Sequence, residues 1–299
     1  MLELRHLRVL RAVARTGSYS AAAVRLGYTQ PAVSQQMKAL ERLCGTPLVV
    51  RCGRKMRLTE AGVELVRRAG LVLAEVAAAE RAVGELAGRR AGQVRLVVFP
   101  SGSATLVPPV AARISRDHPD IRLSLTEAEP PESVELLRAG ECDLALAFTY
   151  PGEPEPVETP GLLTVKLFTD PLVVLLPAGH ALCAAPGVSL SDLATEHWIA
   201  GCARCREHLV HACAAAGFQP DITFATDDNL AVQGLVAAGL GVAVVPELML
   251  SAVRRPDVCV RPLRPPLRRE VYLCTWPDLA RVPAIGLTVA ALRQACASS

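Results

Sequence analysis

No stretch of the sequence is both long enough and apolar enough to cross a bilayer. The most apolar run, LAVQGLVAAGLGVAVVPELML over 230–250, is broken by Gln233, Gly234, Gly239, Gly241 and Pro246. It reads as a helix, a glycine turn and a buried strand. The segment MLELRHLRVLRAVARTG carries Arg5, Arg8, Arg11 and Arg15, so it lacks the uninterrupted apolar centre of a signal peptide. No membrane partner is expected, and the expected location is cytoplasmic. The sequence also lacks a P-loop, a G-x-S-x-G elbow and an H-E-x-x-H motif. No nucleophile with a matching base can be picked out, and Asp227-Asp228 reads as a helix cap, so no enzyme activity is expected. Charge is low as well: 20% charged against 51% hydrophobic residues excludes disorder. At 299 residues the chain exceeds what one core needs, which predicts two or three domains.

The charge that is present is unevenly placed. Residues 1–57 hold eleven Lys and Arg against Glu3 and Glu41, a net +9, whereas the whole chain is +3 and the remainder therefore −6. A basic head on an acidic body fits a nucleic-acid-binding module joined to a regulatory or catalytic one, with a solvated basic face as the plain alternative.

Within the head, Leu2, Leu4, Leu7, Val9, Leu10, Val13 and Ala14 form a helical stripe ending at Gly17. Ser18 can cap a second helix, YSAAAVRL, that stops at Gly27. A third helix follows in YTQPAVSQQMKALERLCG, with Pro31 in its first turn and Val33, Met37, Leu40 and Leu43 on one face. Its other face presents Gln30, Pro31, Ser34, Gln35 and Lys38. This is helix-turn-helix geometry: a Gln amide pairs bidentately with adenine in the major groove, Ser bonds base or phosphate, and Lys reaches guanine or phosphate. TPLVVRCGRKMRLTEAG then reads as strand, turn, strand, a wing whose Arg51, Arg54, Lys55 and Arg57 neutralise phosphate. The candidate contacts to double-stranded promoter DNA are Ser18, Thr29, Gln30, Pro31, Ser34, Gln35, Lys38, Arg51, Arg54 and Lys55.

These residues resemble the winged helix-turn-helix of LysR-type transcriptional regulators. The resemblance rests on elements in order: the Ala-Ala pair before Leu26, Gln30 leading into Ala32-Val33-Ser34, Leu40-Glu41, Gly45, Leu48, Arg51, and Thr59 with Gly62. Val49 departs from the Phe that the family usually places before the wing. The fold that follows is an N-terminal all-α winged helix-turn-helix (1–58), a long linker helix (59–90) and an α/β periplasmic-binding-protein-like effector domain (91–299). In the linker, Leu65, Ala69, Val72, Val76, Ala79, Val83 and Leu86 make a heptad seam, suited either to pairing with a second copy or to lying on the chain's own body. The resemblance favours pairing, as a homodimer and further as a homotetramer. RNA polymerase is a further candidate partner.

From residue 93, apolar runs alternate with helical stretches: VRLVVF, IRLSLTE, DLALAF, LLTVKLF, PLVVLLP, HWIAG, ITFAT, GVAVVP, DVCVRPL and EVYLCTW read as strands of α/β units. Under the resemblance they form two subdomains, 93–164 with 268–299, and 165–267. Ligands of open α/β sheets sit at the carboxyl ends of strands, which selects Ser101, Gly102, Ser103, Thr126, Thr149, Gly201, Cys202 and Thr226 as candidate effector contacts. Ordinary helix capping is the competing role, above all for Ser103 and Thr226. Their convergence on one cleft, and control by a small-molecule effector of unknown identity, are what the resemblance implies.

Ten cysteines in a chain of this kind should be reduced thiols. GCARCREHLVHAC packs Cys202, Cys205, His208, His211 and Cys213 closely, yet a single helix closes a tetrahedral metal site poorly, so neither metal nor cofactor is expected. Cys205, Leu209 and Cys213 fall on one buried stripe. Arg204 and Arg206 beside Cys205 favour its thiolate, which keeps thiol-redox sensing by Cys205 and Cys213 as the alternative mode of regulation. A different class, a solute-binding protein or enzyme with an incidental basic head, is the remaining alternative.

Overall fold

The computed structural model describes residues 1–53, 55–86, 92–153 and 161–297. Two compact units form, one from residues 1–89 and the other, apart from 138–141, from residues 90–299.

In the first unit α1 (Leu4–Thr16), α2 (Tyr19–Leu26) and α3 (Gln30–Cys44) are each ended by a glycine in the left-handed region: Gly17, Gly27 and Gly45 at φ 62°, 67° and 68°. A side chain is strained in that conformation, which is why glycine marks all three stops. Ser18 and Thr29 cap α2 and α3, their hydroxyls accepting from Ala21 N and Ala32 N at 3.4 Å. Val9, Leu10, Val13, Ala22, Val33, Met37 and Leu40 close a common core. Leu2, Leu4 and Leu43 differ from the expected stripes: they are 46%, 37% and 49% exposed, because they lie at helix ends beyond the reach of the facing helices.

The wing is β1 (Val49–Cys52) paired antiparallel with β2 (Lys55–Leu58). It is tied down by polar bonds. Glu41 Oε1 accepts from Leu48 N (2.9 Å) and Val49 N (3.3 Å), Met56 N donates to Gly17 O (2.7 Å), and Thr59 Oγ1 donates to Pro47 O (2.8 Å). Thr59 also caps α4 (Glu60–Leu86), accepting from Gly62 N at 3.1 Å. Ala69 and Leu73 of α4 pack on Leu7, while Val72 and Val83 of the heptad seam are 44% and 66% exposed.

The second unit is built on a seven-stranded sheet. β4 (Arg122–Glu127), β3 (Gln93–Val98) and β5 (Leu144–Thr149) run parallel. β11 (Arg268–Thr275) and β6 (Leu163–Pro177) follow antiparallel, then β10 (Val258–Pro262) and β9 (Ala243–Pro246) pair with the second half of β6. The two runs LLTVKLF and PLVVLLP are therefore one 15-residue strand rather than two. Its partners change between Pro171 and Leu172: residues 163–171 pair with β11, residues 172–177 with β9 and β10. Asp170-Pro171 marks that change without ending the strand, because Asp170 turns inward to a buried cation.

Period-two alternation sorts the sheet's faces. Leu96, Val98, Leu144, Leu146, Phe148, Val271 and Leu273 enter one core with α6 (Val107–Asp117) and α12 (Pro283–Ala297); Val97, Ala145, Ala147, Tyr272 and Cys274 enter another with α7 (Glu132–Arg138). A third core joins Val173 and Leu175 to α9 (Asn229–Ala237) and α10 (Glu247–Ala252). Beside it, β7 (His197–Ala200) pairs parallel with β8 (Asp221–Ala225), and α8 (Ala203–Ala215) follows β7.

The buried cation is Arg269, at the start of β11. It meets Asp170 at 2.8 Å with both side chains 2% exposed, and its Nη2 donates to Ser101 Oγ at 2.8 Å. Asp170 Oδ1 accepts from Leu248 N at 3.0 Å. Breaking a buried pair leaves an uncompensated charge. Arg269→Met is expected to destabilise this unit by about 3–5 kcal/mol, read from denaturant unfolding followed by Trp198 and Trp276, both of which lie in it; a change within error would contradict the anchoring role. In the first unit, a Cβ on Gly62 would stand 2.0 Å from Leu48 O. Gly62→Ala should lower the head's calorimetric stability by about 1–3 kcal/mol through overpacking.

Candidate functional site

The helix-turn-helix surface sorts its predicted residues into two groups. Ser18 and Thr29 serve as caps. Gln30, Pro31, Gln35 and Lys38 are exposed along the leading side of α3, with Ser34 half-buried between them. On the wing, Arg51 and Lys55 are exposed, and Arg51 Nε donates to Gly53 O at 3.1 Å; Arg54 lies outside the described residues. The sequence reading missed Glu41: it acts as the staple that fixes the wing to α3.

In the second unit the carboxyl ends of β3 and β5 carry Phe99 and Phe148, whose rings meet edge-on at 5.2 Å. The Arg269 guanidinium lies 4.7 Å from the Phe99 centroid and 4.5 Å from that of Phe148. The cation is thus held by a carboxylate, a hydroxyl and two ring faces. Next in the chain, Tyr150 stacks on His208 of α8 with centroids 3.7 Å apart and planes 4° from parallel. Tyr150 N donates to Glu153 Oε2 at 2.8 Å, and Arg204 pairs with that carboxylate while lying 5.4 Å over Phe148. The turn after β5 is thereby fastened to α8.

Beyond β7, Cys202 caps α8, its Sγ accepting from Cys205 N at 3.3 Å and donating to Cys205 Sγ at 2.8 Å. Glu129 lies beside the Cys202 thiol, and its Oε2 is buried without a hydrogen-bond partner. Burial, foremost, raises the Glu129 carboxyl above the usual carboxylate range. The Cys205 thiol is lowered by the hydrogen bond from Cys202, with the Tyr150 hydroxyl adding a second, against the opposing effect of burial. The same bond, with burial, raises Cys202. Burial lowers His208.

Of the predicted effector residues, Ser101 and Cys202 take part in this polar cluster, and a Cβ on Gly201 would touch Cys205 Cβ at 3.4 Å. Gly102 is packed against Phe99, where a Cβ would meet the ring at 2.8 Å. Ser103 bonds Glu127, Thr149 is buried in β5, and Thr126 is exposed on β4. Thr226 Oγ1 accepts from Asp228 N at 3.2 Å in the turn before α9, which Asp228 caps. Glu129, Tyr150, Asp170 and Arg269 were missed, and Arg204 and His208 were read only with the cysteine cluster; the signal for Asp170 was a charge inside an apolar strand run. Cys205 and Cys213 are not brought together: eight helical residues separate them by about 12 Å, and Cys213 is fully buried. Among the described residues, no group of three or more His, Cys, Asp or Glu is placed to hold a metal ion, and no helix is long and apolar enough to cross a membrane.

Residues 4–63 match the bacterial regulatory helix-turn-helix proteins of the lysR family, and residues 87–297 match the LysR substrate binding domain. The Hca operon transcriptional activator HcaR of Escherichia coli (strain K12) is 28% identical over 301 residues, covering 99% of each chain. A probable hydrogen peroxide-inducible genes activator of Mycobacterium avium is 34% identical over 248 residues, 81% of this chain and 76% of the relative. Among solved structures, a cysteine-to-aspartate variant of full-length OxyR from Pseudomonas aeruginosa is 25% identical with a TM-score of 0.61, over 98% of this chain and 95% of that one. With its head and its α/β unit each matched over nearly their full lengths, the chain belongs to the LysR family of transcriptional regulators.

Proposed function

We propose that the chain is a cytoplasmic, non-enzymatic regulator that reads promoter DNA with the leading face of α3 and is controlled by a small molecule held around Ser101, Glu129, Tyr150, Cys202 and Arg269. The observation that carries the DNA assignment is the exposure of Gln30, Gln35 and Lys38 on a helix whose opposite face is buried, within a head of net charge +9. Gln35 supplies base discrimination, whereas Arg51 and Lys55 supply phosphate contact. Two heads on a homodimer, paired further into a tetramer, read two half-sites a whole number of turns apart. The exposed seam residues Val72 and Val83 support self-association through α4.

In the effector domain, 91–299, the subdomain interface runs along β6 and β11, where strand partners change. An effector that favours one arrangement of the subdomains shifts the spacing of the DNA-reading heads. The charges present argue about the effector's class. Arg269 is matched by Asp170 and Arg204 pairs with Glu153, while Glu129 Oε2 and Arg204 Nε are both buried without a hydrogen-bond partner. A ligand offering a hydrogen-bond donor to Glu129 and an acceptor to Arg204 suits this site better than a simple carboxylate, which would meet the Glu129 carboxyl.

The test separates reading from anchoring. Gln35→Ala is expected to lose about 1–3 kcal/mol of preference for the operator over random DNA, measured by anisotropy on both. Lys55→Ala should weaken both complexes alike and reduce the slope of log affinity against log salt by about one. Equal losses on both DNAs from Gln35→Ala would remove that residue from the reading face.

A further inference from the structure

Cys202 and Cys205 are placed for chemistry with each other. One occupies the N-cap and the other the third position of a 13-residue helix, their sulfurs are 2.8 Å apart, and Glu129, beside Cys202, keeps a buried carboxylate oxygen without a hydrogen-bond partner. Closing a disulfide shortens the sulfur separation to about 2.05 Å and needs Cα atoms within about 7 Å of each other. Residues three apart in a helical turn meet that limit, whereas Cys205 and Cys213 at about 12 Å do not.

We propose that Cys202 and Cys205 form a thiol–disulfide exchange site whose co-reactant is a low-molecular-weight disulfide, with Cys205 as the attacking sulfur and Glu129 as the base for Cys202. The Cys205 thiolate attacks one sulfur of R–S–S–R, forming a Cys205–S–S–R mixed disulfide and expelling RS⁻, which takes up the proton Cys205 has lost. Cys202 passes its proton to Glu129 and attacks the Cys205 sulfur; the second RS⁻ leaves and is protonated. The protein loses two hydrogens and two electrons, and the co-reactant is reduced to two RSH. Three features assign the roles. Cys205 is partly exposed whereas Cys202 is buried. Cys205 accepts a hydrogen bond from the Cys202 thiol, which stabilises its thiolate. Cys202 is the sulfur beside the Glu129 carboxylate. The exchange shares Glu129 and Cys202 with the proposed effector site but needs no effector bound there, so its test is read without one.

Full-length protein is equilibrated with reduced and oxidised glutathione at pH 7, quenched in acid, alkylated, and its 202–213 region examined by peptide mass spectrometry. The expected product has Cys202 linked to Cys205 and Cys213 alkylated. Cys202→Ser should accumulate the glutathione adduct on Cys205, and Cys205→Ser should give neither adduct nor crosslink. Glu129→Gln should slow closure about 10²-fold at pH 7, as loss of a general base does, so that the mixed disulfide becomes visible before the crosslink. Cys213→Ala serves as the control that leaves the exchange unchanged. The proposal is overturned if Cys202 and Cys205 both remain alkylated under excess oxidised glutathione, if the adduct forms on Cys202, or if the crosslink joins Cys205 to Cys213. An unchanged closure rate in Glu129→Gln would remove the carboxylate from the mechanism.

Discussion

The α/β unit depends on one buried ion pair. Arg269 and Asp170 are 99 residues apart in sequence and almost wholly out of water, so each charge is tolerable through the other. The pair sets the start of β11 against the point where β6 changes partners. It also fixes Ser101 through the guanidinium and α10 through Leu248 N. Phe99 and Phe148 pack against the same cation, so the ends of β3 and β5, the start of β11 and the middle of β6 are held about one group. The polar cluster at Glu129, Cys202 and Cys205 borders this anchor, and Arg269 contributes to the electrostatics of both Glu129 and Cys205. A cluster built this way is preorganised: its geometry is set by the fold's own electrostatics.

The DNA-reading head solves a different problem. Its helices are short, and short helices need their ends satisfied. Ser18, Thr29 and Thr59 cap three of them, glycines stop three, and Glu41 spends its carboxylate on two wing amides instead of on solvent. That leaves Gln30, Gln35, Lys38 and Lys55 exposed, and phosphate contact by the basic surface then supplies affinity that base contacts convert into selectivity.

Local signals made the head legible in the sequence. Gly17 and Gly27 marked helix ends, Pro31 marked a first turn, and Val33, Met37 and Leu40 marked a buried face, all features that act within a few residues. Most strands of the α/β unit were legible for the same reason, through apolar runs between helical patterns. What escaped was long-range. Asp170-Pro171 looked like a break because Pro and a charge end most strands; Asp170 stays inside only because Arg269 arrives from a distant segment. Glu129 and Tyr150 gave no periodic signal, since their roles come from where β4, β5 and α8 converge. The cysteine cluster was seen, but its spacing along a helix, not its density, decides which sulfurs meet. Cys202 was read as a strand-end contact and Cys205 as half of a different pair.

The claim that this chain reads specific double-stranded DNA is tested most directly by hydroxyl-radical footprinting of the full-length protein on the DNA upstream of its own coding sequence, with excess random DNA as competitor. The account predicts two protected half-sites whose centres are separated by a multiple of about 10.5 base pairs, surviving the competitor. Protection that is uniform along the fragment and vanishes with random DNA would contradict it.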